Sequence, residues 1–298
     1  MCGIVGLHLK NAGLESRLGE LVVPMLDMLA SRGPDSTGVA VYSHDVSPGE
    51  AKYSLCAPEE DYNWGGYAAR LEEDLGSPVA VRRRGRDAVV VSSAAPDSVL
   101  SAVGRVDKRV RLFGHGSAIE VYKDVGPAIE VCARYGISAM AGYQAIGHTR
   151  MATESAVTIE HSHPFAAGSD LALVHNGSFS NHATIRRELR DHGVTFDTDN
   201  DSEVAARFIA YEMLLGSDLA GAMQSVLKGF DGFFTLVVAT EGSIAGVRDS
   251  FACKPMVVAE TDDYVALAAE YVALTDLPGI EAADVFEPMP EELYTWPA

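Results

Sequence analysis

Cys2 stands directly behind Met1 and ahead of the small apolar run Gly3-Ile4-Val5-Gly6. A cysteine there has two readings. It packs as a small hydrophobe on a strand, or, once Met1 is removed, it is a nucleophile whose own α-amine serves as base. Other polar groups bear on the choice. Arg150 ends GHTR (147–150); such an arginine is a surface or salt-bridge residue, or its planar fork clamps a carboxylate. His161 and His163 share the stretch EHSHPF (160–165), which reads as a polar loop without the further ligands of a metal site. Asn176-Gly177 ends the apolar run LVHNG. That pair is a tight turn, or a side-chain amide beside a backbone N–H, the donors a developing oxyanion needs. Asp201, in DTDNDSEV (197–204), caps the helix that follows or holds a substrate ammonium.

Each of these groups needs a rigid element behind it. Residues 2–9 are small or β-branched and alternate, which predicts a strand. Leu14, Leu18, Leu21, Val22, Met25, Leu26 and Leu29 recur at helical spacing, with a kink or late start expected at Pro24. SRGPDSTG (31–38) has the composition of tight turns, and VAVY (39–42) resumes as a strand. Further strands are expected in VAVRRRG, DAVVVSS, VRLFGHG, AGYQAIGHTR, LALVHNG, FFTLVVAT, MVVAE and YVALAAE. Helices are expected in PDSVLSAVGRV and DSEVAARFIAYEMLLG (201–216), the latter with Val204, Phe208, Tyr211 and Leu215 on one stripe. KGFDGFF (228–234) reads as a turn feeding a strand. Many short strands without steady βαβ alternation predict an α+β layered fold.

The 298 residues suit one large domain or two ordinary ones. A net charge of −19 argues against nucleic-acid or anionic-membrane binding. No apolar run reaches membrane-spanning length and no secretory leader is seen, so a cytoplasmic protein is expected. Cys2, Cys56, Cys132 and Cys253 are scattered, without zinc-ligand spacing or a disulfide framework; the last three read as inert packing residues. Arg82, Arg83, Arg84, Arg86, Arg105, Lys108, Arg109 and Arg111 concentrate eight of the 23 bases in one stretch. It reads as a solvated face of an inserted region, or less simply as a docking surface.

Taken in order, MCGIVG, RGPDSTG, GHTRMAT, HSHPF, LVHNGSFSN, DNDSEV, DGFFTLVVA and RDSFACKPMVVA, with the strand ending Ala269-Glu270, resemble the class II, or Ntn-type, glutamine amidotransferases. The resemblance implies a four-layer αββα Ntn-hydrolase sandwich, a single domain over residues 2–298 with an inserted subdomain at about 50–140. It implies that Cys2 is the nucleophile and its freed α-amine the base, with Asn176 and the Gly177 N–H as oxyanion hole. Arg150 would clamp the glutamine α-carboxylate and Asp201 its ammonium, with Thr153 and His175 also lining the substrate site. Two positions depart from the usual pattern: Met151 stands where many members have an aromatic residue, and Ala269 where serine is common.

The glutaminase motifs take up nearly the whole chain, and no SGGxDS, GxxxxGK[ST] or GxGxxG loop is seen. The resemblance therefore implies an ammonia acceptor on another polypeptide. It is nearest to the small amidotransferase subunit of glutamate-synthase-like complexes, among them N-methylglutamate synthase. FMN and any iron–sulfur centre would then belong to partner chains, with no cofactor or metal in this one. Two other functions are carried forward: a free-standing hydrolase of another γ-glutamyl compound, and a regulatory subunit that binds glutamine without chemistry.

Overall fold

A computed structural model describes residues 2–151 and 157–297. The first half of the chain contains β1 (Gly3–Leu9), α1 (Leu18–Met28), β2 (Ser36–Tyr42), β3 (Ala51–Cys56), α2 (Trp64–Leu75), β4 (Val79–Arg84), β5 (Asp87–Ser92), α3 (Pro96–Val106), β6 (Arg111–Gly116), β7 (Ile119–Val125), α4 (Ala128–Tyr135) and β8 (Gln144–Arg150). The second contains β9 (Phe165–Ala166), β10 (Ala172–Phe179), α5 (His182–Asp191), α6 (Asp201–Leu214), α7 (Leu219–Gly229), β11 (Gly232–Thr240), β12 (Ser243–Arg248), β13 (Val257–Glu260), β14 (Tyr264–Ala268), β15 (Asp284–Phe286) and β16 (Tyr294–Pro297).

β1 is buried on both faces, which is why it reads as a nearly unbroken apolar run. Val5, Leu7 and Leu9 join a core shared with α1 and α4, while Ile4 joins a core between two sheets. One sheet has seven strands in the order β15-β13-β14-β1-β8-β2-β7; the other has five, β16-β12-β11-β10-β9. The larger sheet meets the smaller through Ile4, Ile146, Val174 and Val237. The outer face of the smaller sheet packs on α5, α6 and α7 through Leu173, Leu236, Ile185, Ala205 and Val226. Each fully buried Leu or Val here contributes about 1.5–3 kcal/mol. The result is the helix–sheet–sheet–helix sandwich expected from the resemblance.

Residues 51–116 form a third sheet, β4-β5-β3-β6, with α2 and α3 and a core that includes Tyr53, Leu71, Val90 and Val99. β7 and α4, which also lie within 50–140, belong to the main layers: β7 pairs with β2 and α4 joins the α1 core. Asp170 fastens the junction. Its Oδ1 accepts from the N–H groups of Ala118 (2.8 Å) and Ile119 (3.0 Å), and its Oδ2 from Ser117 N (2.9 Å). Several of the clustered bases pair with acids: Arg82 with Asp45, Arg105 with Asp74, Arg109 with Asp107 and Arg86 with Asp87. No helix among the described residues is long and apolar enough to cross a membrane.

Some local expectations need correction. α1 starts at Leu18 behind a 3₁₀ turn and carries Pro24 inside it. The stretch 31–38 is strand from Ser36 onward. Gly38 serves close approach there, since a Cβ would fall 2.1 Å from the His163 carbonyl oxygen. On α6 Val204 is buried and Phe208 and Tyr211 are half-buried against the same core, as the stripe predicts, but Leu215 is exposed and Ala205, Ala206 and Ile209 are buried beside them. Cys253 is exposed and is no packing residue, unlike the buried Cys56 and Cys132.

Candidate active site

β8 lies between β1 and β2, with Gly3 opposite Thr149 and Ser36 opposite Arg150. This register carries Cys2 to the end of the strand that presents Arg150. Gly3 permits the fit, because a Cβ there would lie 2.5 Å from Thr149 Oγ1. Cys2 is half-buried, and its Sγ donates to the Met151 carbonyl at 3.8 Å. The Cys2 carbonyl oxygen accepts from Asn176 Nδ2 at 3.3 Å and from Arg32 Nε at 3.1 Å. Arg32 also pairs with Glu270. Neither residue is distinguished by its sequence alone, although Arg32 opens RGPDSTG and Glu270 follows Ala269.

Asn176-Gly177 is no turn. Both residues lie within β10, opposite Thr235 and Phe234 of β11. Gly177 has φ +146°, and a Cβ there would sit 2.0 Å from the Phe233 carbonyl oxygen. The strand can therefore take this conformation so close to β11 only if this residue is glycine. Arg150 is buried, 5% exposed. Burial lowers the pKa of its guanidinium, while the charges of Cys2, Asp35 and Asp201 oppose that shift.

Asp201 is not the helix cap. That role falls to Asn200, whose side chain accepts from Ser202 N at 2.8 Å. Asp201 instead accepts the Phe179 N–H on Oδ2 at 2.9 Å, which leaves its carboxylate beside the end of β10. His175 is buried and stacks on Phe179 with ring centroids 4.4 Å apart. Thr153 lies outside the described residues.

The two histidines of EHSHPF part company. His161 bonds Thr158 Oγ1 and Asp199 Oδ1 at 2.8 and 2.7 Å, whereas His163 is buried against His148, centroids 4.1 Å apart. Burial drives the pKa of His163 well below its ordinary value, that of His148 down to about 3, and that of His175 down as well. Lys123 supports the loop: its buried Nζ donates to the Ser162 carbonyl at 2.9 Å and lies over the Phe113 and Phe165 rings. Desolvation pushes its pKa down to about 8. No group of acids, histidines and cysteines able to hold a metal occurs among the described residues. Clefts of about 430 and 360 Å³ lie elsewhere, between α2 and α3 and beside His44 and Arg84, and hold none of the candidate site residues.

Thus a thiol, a side-chain amide, a buried guanidinium and a carboxylate converge from the residue before β1 and from β10, β8 and α6. That set can attack a carbonyl, stabilise the oxyanion and orient a zwitterion. Residues 148–276 match a family model described as a glutamine amidotransferase domain. The chain is 48% identical over 302 residues to the glutamine amidotransferase-like protein GlxB of Rhizobium meliloti, covering 99% of this chain and 98% of that protein. It is 32% identical to a putative glutamine amidotransferase of Methanothermobacter thermautotrophicus, covering 98% of each. Among solved structures, the glutamine PRPP amidotransferase of B. subtilis superposes with a TM-score of 0.61 at 18% identity. That match covers 99% of this chain and 47% of the other, so this chain spans about half of that enzyme.

Proposed function

This chain belongs to the class II, or Ntn-type, glutamine amidotransferases, and we propose that it hydrolyses L-glutamine to glutamate and ammonia through a thioester on Cys2. The observation that carries this reading is the 3.3 Å hydrogen bond from Asn176 Nδ2 to the Cys2 carbonyl, which puts an amide donor beside the thiol. With Met1 removed, the α-amine of Cys2 has an ordinary pKa of about 8, so a useful fraction is neutral and can take the thiol proton. The Sγ then attacks the side-chain amide carbon of glutamine. Asn176 and the Gly177 N–H receive the negative oxygen. The C–N bond breaks, the amine proton goes to the leaving nitrogen, and ammonia departs from a γ-glutamyl thioester. Water attacks that thioester, returning the thiol and releasing glutamate. Arg150 holds the α-carboxylate and Asp201 the α-ammonium. Loss of one oxyanion donor should cost about 10²–10³ in rate.

In this reading the ammonia serves a synthase on a separate chain, of the glutamate-synthase-like kind that includes N-methylglutamate synthase, and the flavin and any iron–sulfur centre reside there. Support for the partner rests on the motif resemblance, and for the glutaminase on the converging side chains. The test assays glutamate and ammonia release from glutamine by the full chain, with Cys2→Ala beside it. Stoichiometric release that Cys2→Ala abolishes supports the reading. Glutamine binding without release, or faster turnover of another γ-glutamyl amide, would replace it with the regulatory or free-standing hydrolase function. Copurification of a flavin-containing chain from the native host tests the partner.

A further inference from the structure

Arg150, Asn176 and Asp201 come from three different elements, and each has a neighbour in sequence that reaches across to the next element. His148 precedes Arg150 by two residues on β8, His175 immediately precedes Asn176 on β10, and Ser202 follows Asp201 in the first turn of α6. His148 Nε2 lies 3.0 Å from the His175 carbonyl oxygen. His175 Nδ1 lies 2.8 Å from Ser202 Oγ, and Ser202 Oγ donates to Asp201 Oδ1 at 3.3 Å.

The proton positions follow from what each atom can do. A carbonyl only accepts, so His148 carries its proton on Nε2. Its Nδ1 has no partner among the described residues, and burial holds its pKa near 3, so the ring is neutral. The single hydroxyl proton of Ser202 goes to Asp201, so His175 Nδ1–H donates to Ser202 Oγ. The order is His148 to the His175 backbone, then the His175 ring to Ser202 to Asp201. Asp201 Oδ2 is taken by Phe179 N, so both carboxylate oxygens are fixed. On one edge β10 is paired with β11 from Ala172 to Phe179; on the other, β9 accompanies it only at Ala172 and Leu173. From His175 onward, the His148 imidazole supplies a donor on β10.

We infer that His148, His175 and Ser202 are positioning residues that hold the carboxylate clamp, the oxyanion donor and the ammonium-binding carboxylate in one register. His175 then acts through its neighbours and does not touch the substrate. This rests on the glutaminase reading, and it predicts a division of effects. Losing the His148 donor loosens the open edge of β10 next to Asn176, an element used in the transition state; losing the Ser202 hydroxyl releases Asp201, an element used in binding.

The experiment measures kcat and KM for glutamine in His148→Leu, His148→Gln and Ser202→Ala, with wild type and Cys2→Ala as references. A misplacement of the order of 1 Å costs about 10² in rate, so His148→Leu should lower kcat about 30- to 100-fold with KM within about twofold. Glutamine presents an N–H where Nε2 stood, so His148→Gln should recover most of that loss. Ser202→Ala should raise KM about tenfold, the worth of one hydrogen bond to a charged group, with kcat nearly unchanged. Wild-type kinetics in His148→Leu, equal damage in His148→Gln and His148→Leu, or an unchanged KM in Ser202→Ala would overturn the assignment. An inactive wild type would defeat the glutaminase reading instead. In that case ¹⁵N NMR of the wild-type imidazoles still decides: His148 must be the neutral Nε2–H tautomer from about pH 5.5 to about pH 9. An Nδ1–H or doubly protonated ring in that range overturns the inference.

Discussion

Mild acid should destabilise the protein through its buried histidines, by an amount that can be worked out. His148 has a pKa of about 3 when folded against an ordinary value of 6.5, and burial keeps His163 well below that value too. Between these limits the unfolded chain binds protons that the native chain refuses, so stability falls as pH falls. Above about pH 7 neither state holds the proton and the effect vanishes; at about pH 5 the His148 ring has cost about 2 kcal/mol. That alone is a large share of the roughly 5–15 kcal/mol that holds a domain folded, and His163 adds to it in the same direction. His8, His115 and His175 are shifted in the same direction. Asp87, whose pKa burial raises, works in the opposite sense, so the sharp test is a difference. Urea unfolding of wild type and His148→Gln at about pH 7.5 and about pH 5, analysed at constant m, isolates one ring. The variant should lose about 2 kcal/mol less than wild type over that interval. Equal losses in the two proteins would refute the reasoning.

Three further outcomes are expected. Gly177→Ala places a Cβ 2.0 Å from the Phe233 carbonyl at φ +146°; it should cost about 1–3 kcal/mol in urea unfolding and remove most glutaminase activity in a steady-state assay. Asp170→Ala strands the buried N–H groups of Ala118 and Ile119; at about 1–3 kcal/mol each, hydrogen exchange should show early opening around residues 111–125. Lys123 carries a folded pKa of about 8 against 10.5, so its buried charge costs most below pH 8 and less as pH rises. Wild-type stability should gain about 2 kcal/mol between about pH 8 and about pH 9.5, and Lys123→Met should show no such gain in the same urea titration.

The strands that carry the site are readable where both their faces are buried. β1 and β11 show the dense apolar run such burial requires, and β10 opens on one at Ala172–Val174, whereas β8 (QAIGHTR) is buried throughout although half polar, because it lies between β1 and β2. Elements at the margins were not: β15 and β16 are short, and α5 buries only Ile185 and Leu189. Asn-Gly reads as a turn in isolation, and only its pairing with Thr235 and Phe234 makes it strand. The motif order pointed to Cys2, Arg150, Asn176 and Asp201, residues 174 positions apart in the case of Cys2 and Asn176. Nothing local in the sequence signals that His148 stacks on His163, that Arg32 reaches Glu270, or that Asn200 takes the cap from Asp201. Those contacts depend on which strands become neighbours, and that is settled by the whole sandwich.

The account stands on the Cys2 sulfur acting as an N-terminal nucleophile. Mass spectrometry of acid-quenched enzyme, caught during glutamine turnover, tests this most directly. The active protein should begin at Cys2 and carry a γ-glutamyl group on that residue alone. Full activity with Met1 still attached, or an acyl group lodged on another side chain, would contradict it.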